Sequence, residues 1–347
     1  MGTLRTDAEA WREAVSRTWT PAAWLVQDAP ESDVVLSSRV RYARNLRGFR
    51  FPHHSSPDGL RAVQRQVRRA VEQAELPLSE LERVNAPERD YMRGCRLIAP
   101  EFVLGQQARS LWLDSRRRLS LMVNEEDHIR LQALTGGFSL NSAQRLADEV
   151  LDRLEDHLEF AHHPEFGWLT ASPSNVGPAR RWSIFFNLAA LEHTGRLPGI
   201  IEALENSDMV VRGLFGELSR RVGAFLQVSA IEGPAFDFNG AAKFLLQAER
   251  EARRDMPRFK LEQLAKEQRD LLLTSPEVTL AQSLTALSWI RWAGAAGIAG
   301  FPTAFRVVDQ WMTHLDVAGT TDARVADRHR AEYLRHQWTA AETEGRA

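Results

Sequence analysis

The sequence predicts an α+β fold in two parts, a mixed strand-and-helix region over residues 1–255 and an all-helical region over 256–347. Two observations carry this. Strand-like and helix-like segments alternate irregularly, without the regular βαβ rhythm of a doubly wound sheet. Beyond Asp255-Met256-Pro257 only helical patterns and loops remain.

Along the chain, Val34-Val35-Leu36 is a short apolar run that reads as a strand and feeds Ser37-Ser38-Arg39-Val40-Arg41-Tyr42-Ala43-Arg44-Asn45. From Leu60, the positions Val63, Val67, Val71 and Ala74 keep helical spacing, with Asp58 and Gly59 before them and Pro77 after. Leu119, Leu121 and Val123 alternate with Ser120 and Met122, which predicts a strand. Asn141 and Gln144 have the spacing of a capping box, opening a helix with Leu146, Val150, Leu154 and Leu158 on its apolar face. Ala171 to Gly177 is turn-rich, Ile184-Phe185-Phe186 and Val222 to Val228 read as strands, and Ala241 to Arg254 as a helix. Gly294, Gly297 and Gly300, spaced by apolar residues, read as close helix packing.

The chain has 347 residues, 44% of them hydrophobic, and a formal net charge of −2, which argues against nucleic-acid binding. Cys95 is the lone cysteine, so an intrachain disulfide framework and a cysteine-rich zinc site are excluded, and a reducing, cytoplasmic setting is expected. No secretory signal or membrane span is expected: the N-terminal residues lack an apolar core, and the apolar stretch Trp292 to Phe301 is too short.

The acidic run Glu125-Glu126-Asp127 follows the strand ending at Val123 and precedes His128 and Arg130. Adjacent carboxylates repel unless solvent or a cation relieves them, and a guanidinium is a fitting cation, planar and always charged. There is no Walker-type phosphate loop, no nucleophile elbow and no protein-kinase catalytic loop. His162-His163 is not read as a metal site. What remains is a distributed set of arginines: Arg39, Arg41, Arg130, Arg181 and Arg212. Guanidinium forks of this kind can hold phosphates where no glycine-rich cradle exists.

Four segments taken together resemble the ATP:guanido phosphotransferase (phosphagen kinase) family. They are Val35 to Leu46, Met122 to Leu134 with its Asn-Glu-Glu-Asp-His-x-Arg core, Gly167 to Gly177, and Val210 to Ser229. Within that family the chain looks most like the bacterial protein arginine kinases of the McsB type. The resemblance implies a catalytic domain with an antiparallel sheet flanked by helices, lacking the N-terminal helical domain of creatine kinases. It implies transfer of the ATP γ-phosphate to arginine guanidinium groups of proteins. Glu126 would be the base, Glu125 its partner, and Glu125, Ser172 and Glu217 substrate contacts. Arg39, Arg41, Arg130, Arg181 and Arg212 would hold ATP, with Mg2+ on its phosphates. Partners implied are proteins with exposed arginines, a zinc-binding activator, the Clp protease machinery and a second copy of the chain. In the helical region, Asp327 and Arg330 match part of a phosphoarginine-pocket pattern, with Ala326 replacing its first arginine.

Two departures bear on activity. Ser172 stands where the family has a reactive cysteine, and a hydroxyl is far less acidic. Pro178 and Ala179 replace residues of a glycine-containing loop; Pro178 lacks an amide donor and Ala179 disfavours a positive φ. These changes keep open one alternative, a regulator that binds arginine or phosphoarginine proteins with little transfer. A further alternative is a kinase for free arginine or another small guanidine, against which the missing N-terminal domain of the family argues.

Overall fold

The computed structural model describes residues 21–26, 28–81, 83–213, 224–231, 237–315 and 322–343. In chain order the described elements begin with α1 (Ala23–Val26), β1 (Val35–Arg44), α2 (Pro57–Gln73), β2 (Ser79–Glu80), α3 (Ala86–Gly94), β3 (Ser110–Leu113), β4 (Leu119–Val123) and β5 (Ile129–Gly136). They continue with α4 (Leu140–Glu155), the small hairpin β6 (His162–His163) and β7 (Gly167–Trp168), β8 (Arg180–Asn187), α5 (Ala189–His193), α6 (Leu197–Glu205), β9 (Val210–Arg212) and β10 (Phe225–Ile231). The C-terminal part is helical: α7 (Phe238–Asp255), α8 (Arg258–Thr274), α9 (Leu280–Ala295), α10 (Val307–Met312) and α11 (Ala323–Thr343).

Eight strands form one sheet in the order β2-β3-β4-β5-β1-β8-β10-β9, and every pairing in it is antiparallel. The α+β expectation holds. Strand β1 runs further than its apolar start suggests, because Ser37, Arg39 and Arg41 lie inside it, flanked by β5 and β8.

Side chains alternate across a strand, so register decides what each face carries. One face sets Val40, Leu131, Ile184, Phe186 and Val228 against Val63, Val67, Leu154 and Leu245 of the covering helices. The register shift between Val35 and Ser37 turns the next residues over. Ser37, Arg39 and Arg41 therefore face the other way. On that second face the C-terminal helices cover one end, where Leu36, Leu134 and Phe185 meet Ile290, Trp311 and Trp338. The arginines occupy the other end.

The turn entering β1 is clamped from the helical part. Arg291 and Asp309, both fully buried, pair at 2.7 Å, and Arg291 also donates to Asp33 O at 3.0 Å and Ser32 O at 2.6 Å. Arg250 of α7 bonds Asp33 Oδ1 at 2.6 Å. A joint of Tyr91, His314 and Tyr333 rings ties α3 to the same helices.

Three local expectations change. Helix α2 is capped by Ser56, whose side chain accepts from Gly59 N, so Asp58 and Gly59 lie within it. Helix α4 starts at Leu140 after Ser139, one residue ahead of Asn141, so the expected capping box does not form. Of the three glycines, only Gly294 marks a close approach, because a Cβ there would meet Pro302 O. Gly297 and Gly300 instead supply positive φ in turns with open space or distant neighbours around them.

Removing one partner of a buried ion pair strands the other charge. Asp309→Ala is expected to cost about 3–5 kcal/mol in urea unfolding, and Arg291→Met with Asp309→Leu to recover part of that loss.

Candidate active site

Strand register brings the arginines together. Arg41 lies opposite Gln132 on β5 and Arg181 on β8, and Arg39 two residues earlier lies opposite Ser183. Arg130 pairs with Ala43, and Arg212 with Gln227. These five arginines line one cavity of about 440 Å³ together with Glu125, Glu126, Asp127 and Asn175. Like charges so close oppose one another. Burial first, then Arg41, Arg96, Arg130 and Arg181, holds the Arg39 guanidinium well below its ordinary pKa. Arg41 is lowered by burial and by Arg130, Arg181 and Arg212. The buried Nε of Arg39 has no hydrogen-bond partner among the described residues. Such a surplus of donors and positive charge fits a polyphosphate such as ATP.

The carboxylates sit on the turn between β4 and β5. Asn124 opens it with φ 55°, a left-handed value that asparagine tolerates, and its amide donates to Leu60 O and Ala108 O. Asp127 is buried and accepts from Asn45 Nδ2 at 2.6 Å and Ala171 N at 2.7 Å. His128, also buried, accepts at Nδ1 from Leu46 N at 3.1 Å, so its Nε2 carries the proton toward Arg50 O at 3.0 Å. Burial pushes this imidazole down to about 4. Asp127 and His128 thus lock the turn, and Glu125 and Glu126 are the two acids it presents.

The two glutamates differ. Glu125 is partly buried and bonds Arg130 Nη1 at 2.7 Å. Burial would raise its pKa, but Arg130, the Glu126 amide and Arg41 outweigh that and lower it. Glu126 is exposed at the rim; burial of part of its surroundings and its neighbours Asp127 and Glu125 raise its pKa. One acid is thereby held ionised and the other is the stronger base.

The remaining expected residues are placed as follows. Ser172 lies on the loop anchored by Ala171 to Asp127, but its Oγ bonds Ser174 Oγ at 2.9 Å and it does not line the cavity. Glu217 falls outside the described residues. Ala179 adopts φ 48° despite its side chain, and its carbonyl accepts from Ala43 N at 3.0 Å, so the loop turns as a glycine loop would at some strain. Arg180 also lines the cavity, and its Nη1 donates to the Tyr42 hydroxyl at 3.1 Å. Asp327 and Arg330 meet at 2.6 Å, but Arg330 is buried and also bonds Leu315 O and Val278 O, an arrangement that ties helix α11 to its neighbours.

Sequence reasoning missed Arg96, Gln132 and Gln227, which line the same cavity. Arg96 belongs to no motif. Gln227 left one trace: with Ser229 it puts polar groups at alternate positions of the otherwise apolar strand β10, which marks a polar face without naming its partners.

Comparison with known proteins shows the family and the fold. Residues 61–232 match the family model described as ATP:guanido phosphotransferase, C-terminal catalytic domain. The chain is 35% identical over 245 residues to a protein-arginine kinase of Shouchella clausii (strain KSM-K16), covering 66% of this chain and 68% of that one. It is 32% identical over 305 residues to a protein-arginine kinase of Symbiobacterium thermophilum, covering 83% and 86%. A crystal structure of lombricine kinase superposes with TM-score 0.56 at 19% identity, covering 72% of this chain and 78% of that one, and shares the fold.

A histidine buried neutral must gain a proton on unfolding below its free pKa, about 6.5. His128, depressed to about 4, therefore contributes stability above pH ~6.5 that is lost as pH falls toward about 4. Chemical denaturation across that window should show the loss, and His128→Gln should be less stable at pH 7 but lose less on acidification.

Proposed function

The chain belongs to the ATP:guanido phosphotransferase family, and we propose that it is a protein arginine kinase, transferring the γ-phosphate of ATP to arginine side chains of proteins. The observation that carries this reading is the meeting of five arginines with the Glu125–Glu126 turn in one cavity. Likeness to protein-arginine kinases over most of the chain supports the protein substrate.

The chemistry follows from the charges. A guanidinium has a pKa above ~12 and is a poor nucleophile while protonated. As its nitrogen bonds to the γ-phosphorus, the nitrogen loses basicity, and its proton passes to Glu126, whose raised pKa suits it to accept. The bond from the γ-phosphorus to the β,γ-bridging oxygen breaks, and ADP departs with that electron pair. Glu125, kept ionised by Arg130, fixes the negative side of the site. Arg39, Arg41, Arg130, Arg181 and Arg212 hold the phosphates and offset the charge that spreads over them in the loose transition state. A magnesium ion bound with the nucleotide would supply further neutralisation of phosphate charge, beside the arginines that hold those phosphates. Ser172 supplies no thiolate beside the substrate, and the reading therefore includes a slower turnover than a cysteine would give. Action through Clp proteolysis, a zinc-binding activator and a dimeric state extend this reading and rest on the family resemblance.

The test is phosphorus NMR of the chain with ATP, magnesium and an unfolded arginine-rich protein, with free arginine in parallel. An acid-labile phosphoramidate signal on the protein alone is expected; a signal only on free arginine, or none, would overturn the proposal. Glu126→Gln should lower kcat by about 10²–10⁴-fold, the usual share of a general base, while MgATP affinity stays within about threefold. Loss of ATP binding in that variant would contradict the role given to Glu126.

A further inference from the structure

Beneath the arginines the sheet offers uncharged partners. Gln227 Oε1 accepts from Arg39 Nη2 at 2.9 Å and from an Arg96 Nη2 hydrogen bond as well. Both guanidinium groups thus converge on one amide oxygen. Gln227 is itself oriented: its Nε2 donates to Ser229 Oγ at 2.9 Å, and Ser229 Oγ lies 2.9 Å from Ser183 Oγ. The amide cannot flip without losing that chain and turning its NH2 toward two cations.

Arg96 is held in the same neutral manner. Its Nη1 donates to Ser37 Oγ at 2.8 Å, and its guanidinium lies 4.4 Å from the Phe185 ring centre. Gln132 fixes its backbone by donating to Arg96 O at 2.9 Å and Leu97 O at 2.7 Å, while Arg96 takes φ 62°. Two other buried arginines are paired with carboxylates, Arg291 with Asp309 and Arg330 with Asp327, whereas buried Arg44 is held by the carbonyls of Ala43 and Pro178 and by the Trp168 ring. A carboxylate at position 227 would satisfy Arg39 and Arg96 better than an amide does, since charge-assisted bonds are stronger. It would also cancel the charge that a polyphosphate needs.

We propose that Gln227 is a positioning residue that holds Arg39 and Arg96 toward the cavity on a deliberately neutral acceptor, keeping their positive charge for the nucleotide phosphates. The inference rests on the ATP-binding part of the function proposed above, and adds Arg96 to the groups that set the charge of the site. It makes stability and binding move in opposite directions. Gln227→Glu gives the free protein a better internal ion pair and the nucleotide a competing anion. Gln227→Met removes the acceptor but adds no charge.

The experiment is calorimetric MgATP binding and thermal unfolding of the full chain and these two variants, with kcat and KM for ATP where turnover is measurable. For Gln227→Glu the expected result is an unfolding midpoint at or above that of the parent, with MgATP Kd raised about tenfold or more by the added like charge beside the phosphates. For Gln227→Met the expected result is Kd within about threefold and a larger fall in kcat, because Arg39 loses its seat but the site keeps its charge. Gln227→Glu binding MgATP as tightly as the parent would overturn the proposal. If that variant does not fold, Gln227→Met decides alone: a loss of affinity beyond about tenfold would show that packing, not neutrality, is what position 227 supplies. Binding is read without transfer, so a parent that binds MgATP but phosphorylates no protein would sink the proposed function and leave this inference standing. A parent that does not bind MgATP would sink both.

Discussion

Mutual repulsion among guanidinium groups is the constraint around which this structure is arranged. Arg39, Arg41, Arg130, Arg181 and Arg212 line one cavity, with Arg96 beside them. Glu125 answers Arg130 directly, at 2.7 Å. Isolated in a folding chain, such a cluster would be relieved by moving apart. Here it cannot, because its members on the sheet are fixed by strand register, and a one-residue slip would turn them into the apolar face. The free energy that holds them comes from elsewhere: two apolar layers, one on each side of the sheet, and the buried Arg291–Asp309 clamp on the turn that starts β1.

The acidic turn is built on the opposite principle. Its repulsion is reduced by giving each residue a separate environment. Asp127 is taken up by Asn45 and the Ala171 amide, Glu125 by Arg130, and Glu126 is left at the rim. His128 contributes as a neutral hydrogen-bonding post. A run of three carboxylates thus yields one structural acid, one ionised partner and one base. The loop at Ala179 shows the same economy, keeping the left-handed turn although alanine disfavours it, because the bond from Ala43 N holds its carbonyl.

Much of the fold was legible in the sequence where periodicity spoke directly: the strand at Leu119–Val123, the helix at Leu140–Glu155 and the helical stretch after Met256 follow apolar spacing. Boundaries were less so. Ser37, Arg39 and Arg41 lie past the apolar run from which the strand is read, because their strand has one polar face and a bulge that shifts its phase. The arginines and glutamates could be named from motifs, but Arg96 and Gln227 could not. They meet Arg39 only through pairings between residues far apart in the chain, which no local pattern encodes. Arg330, named from its spacing with Asp327, is shown by the structure to bond Leu315 O and Val278 O as well.

The central claim is that the cavity holds excess positive charge that a polyphosphate relieves. Thermal unfolding with inorganic tripolyphosphate, and separately with adenosine, at low and high salt tests it most directly. The account predicts a marked rise in the midpoint with tripolyphosphate alone, shrinking as salt screens the attraction, and little change with adenosine. Stabilisation by adenosine without any by tripolyphosphate would contradict it.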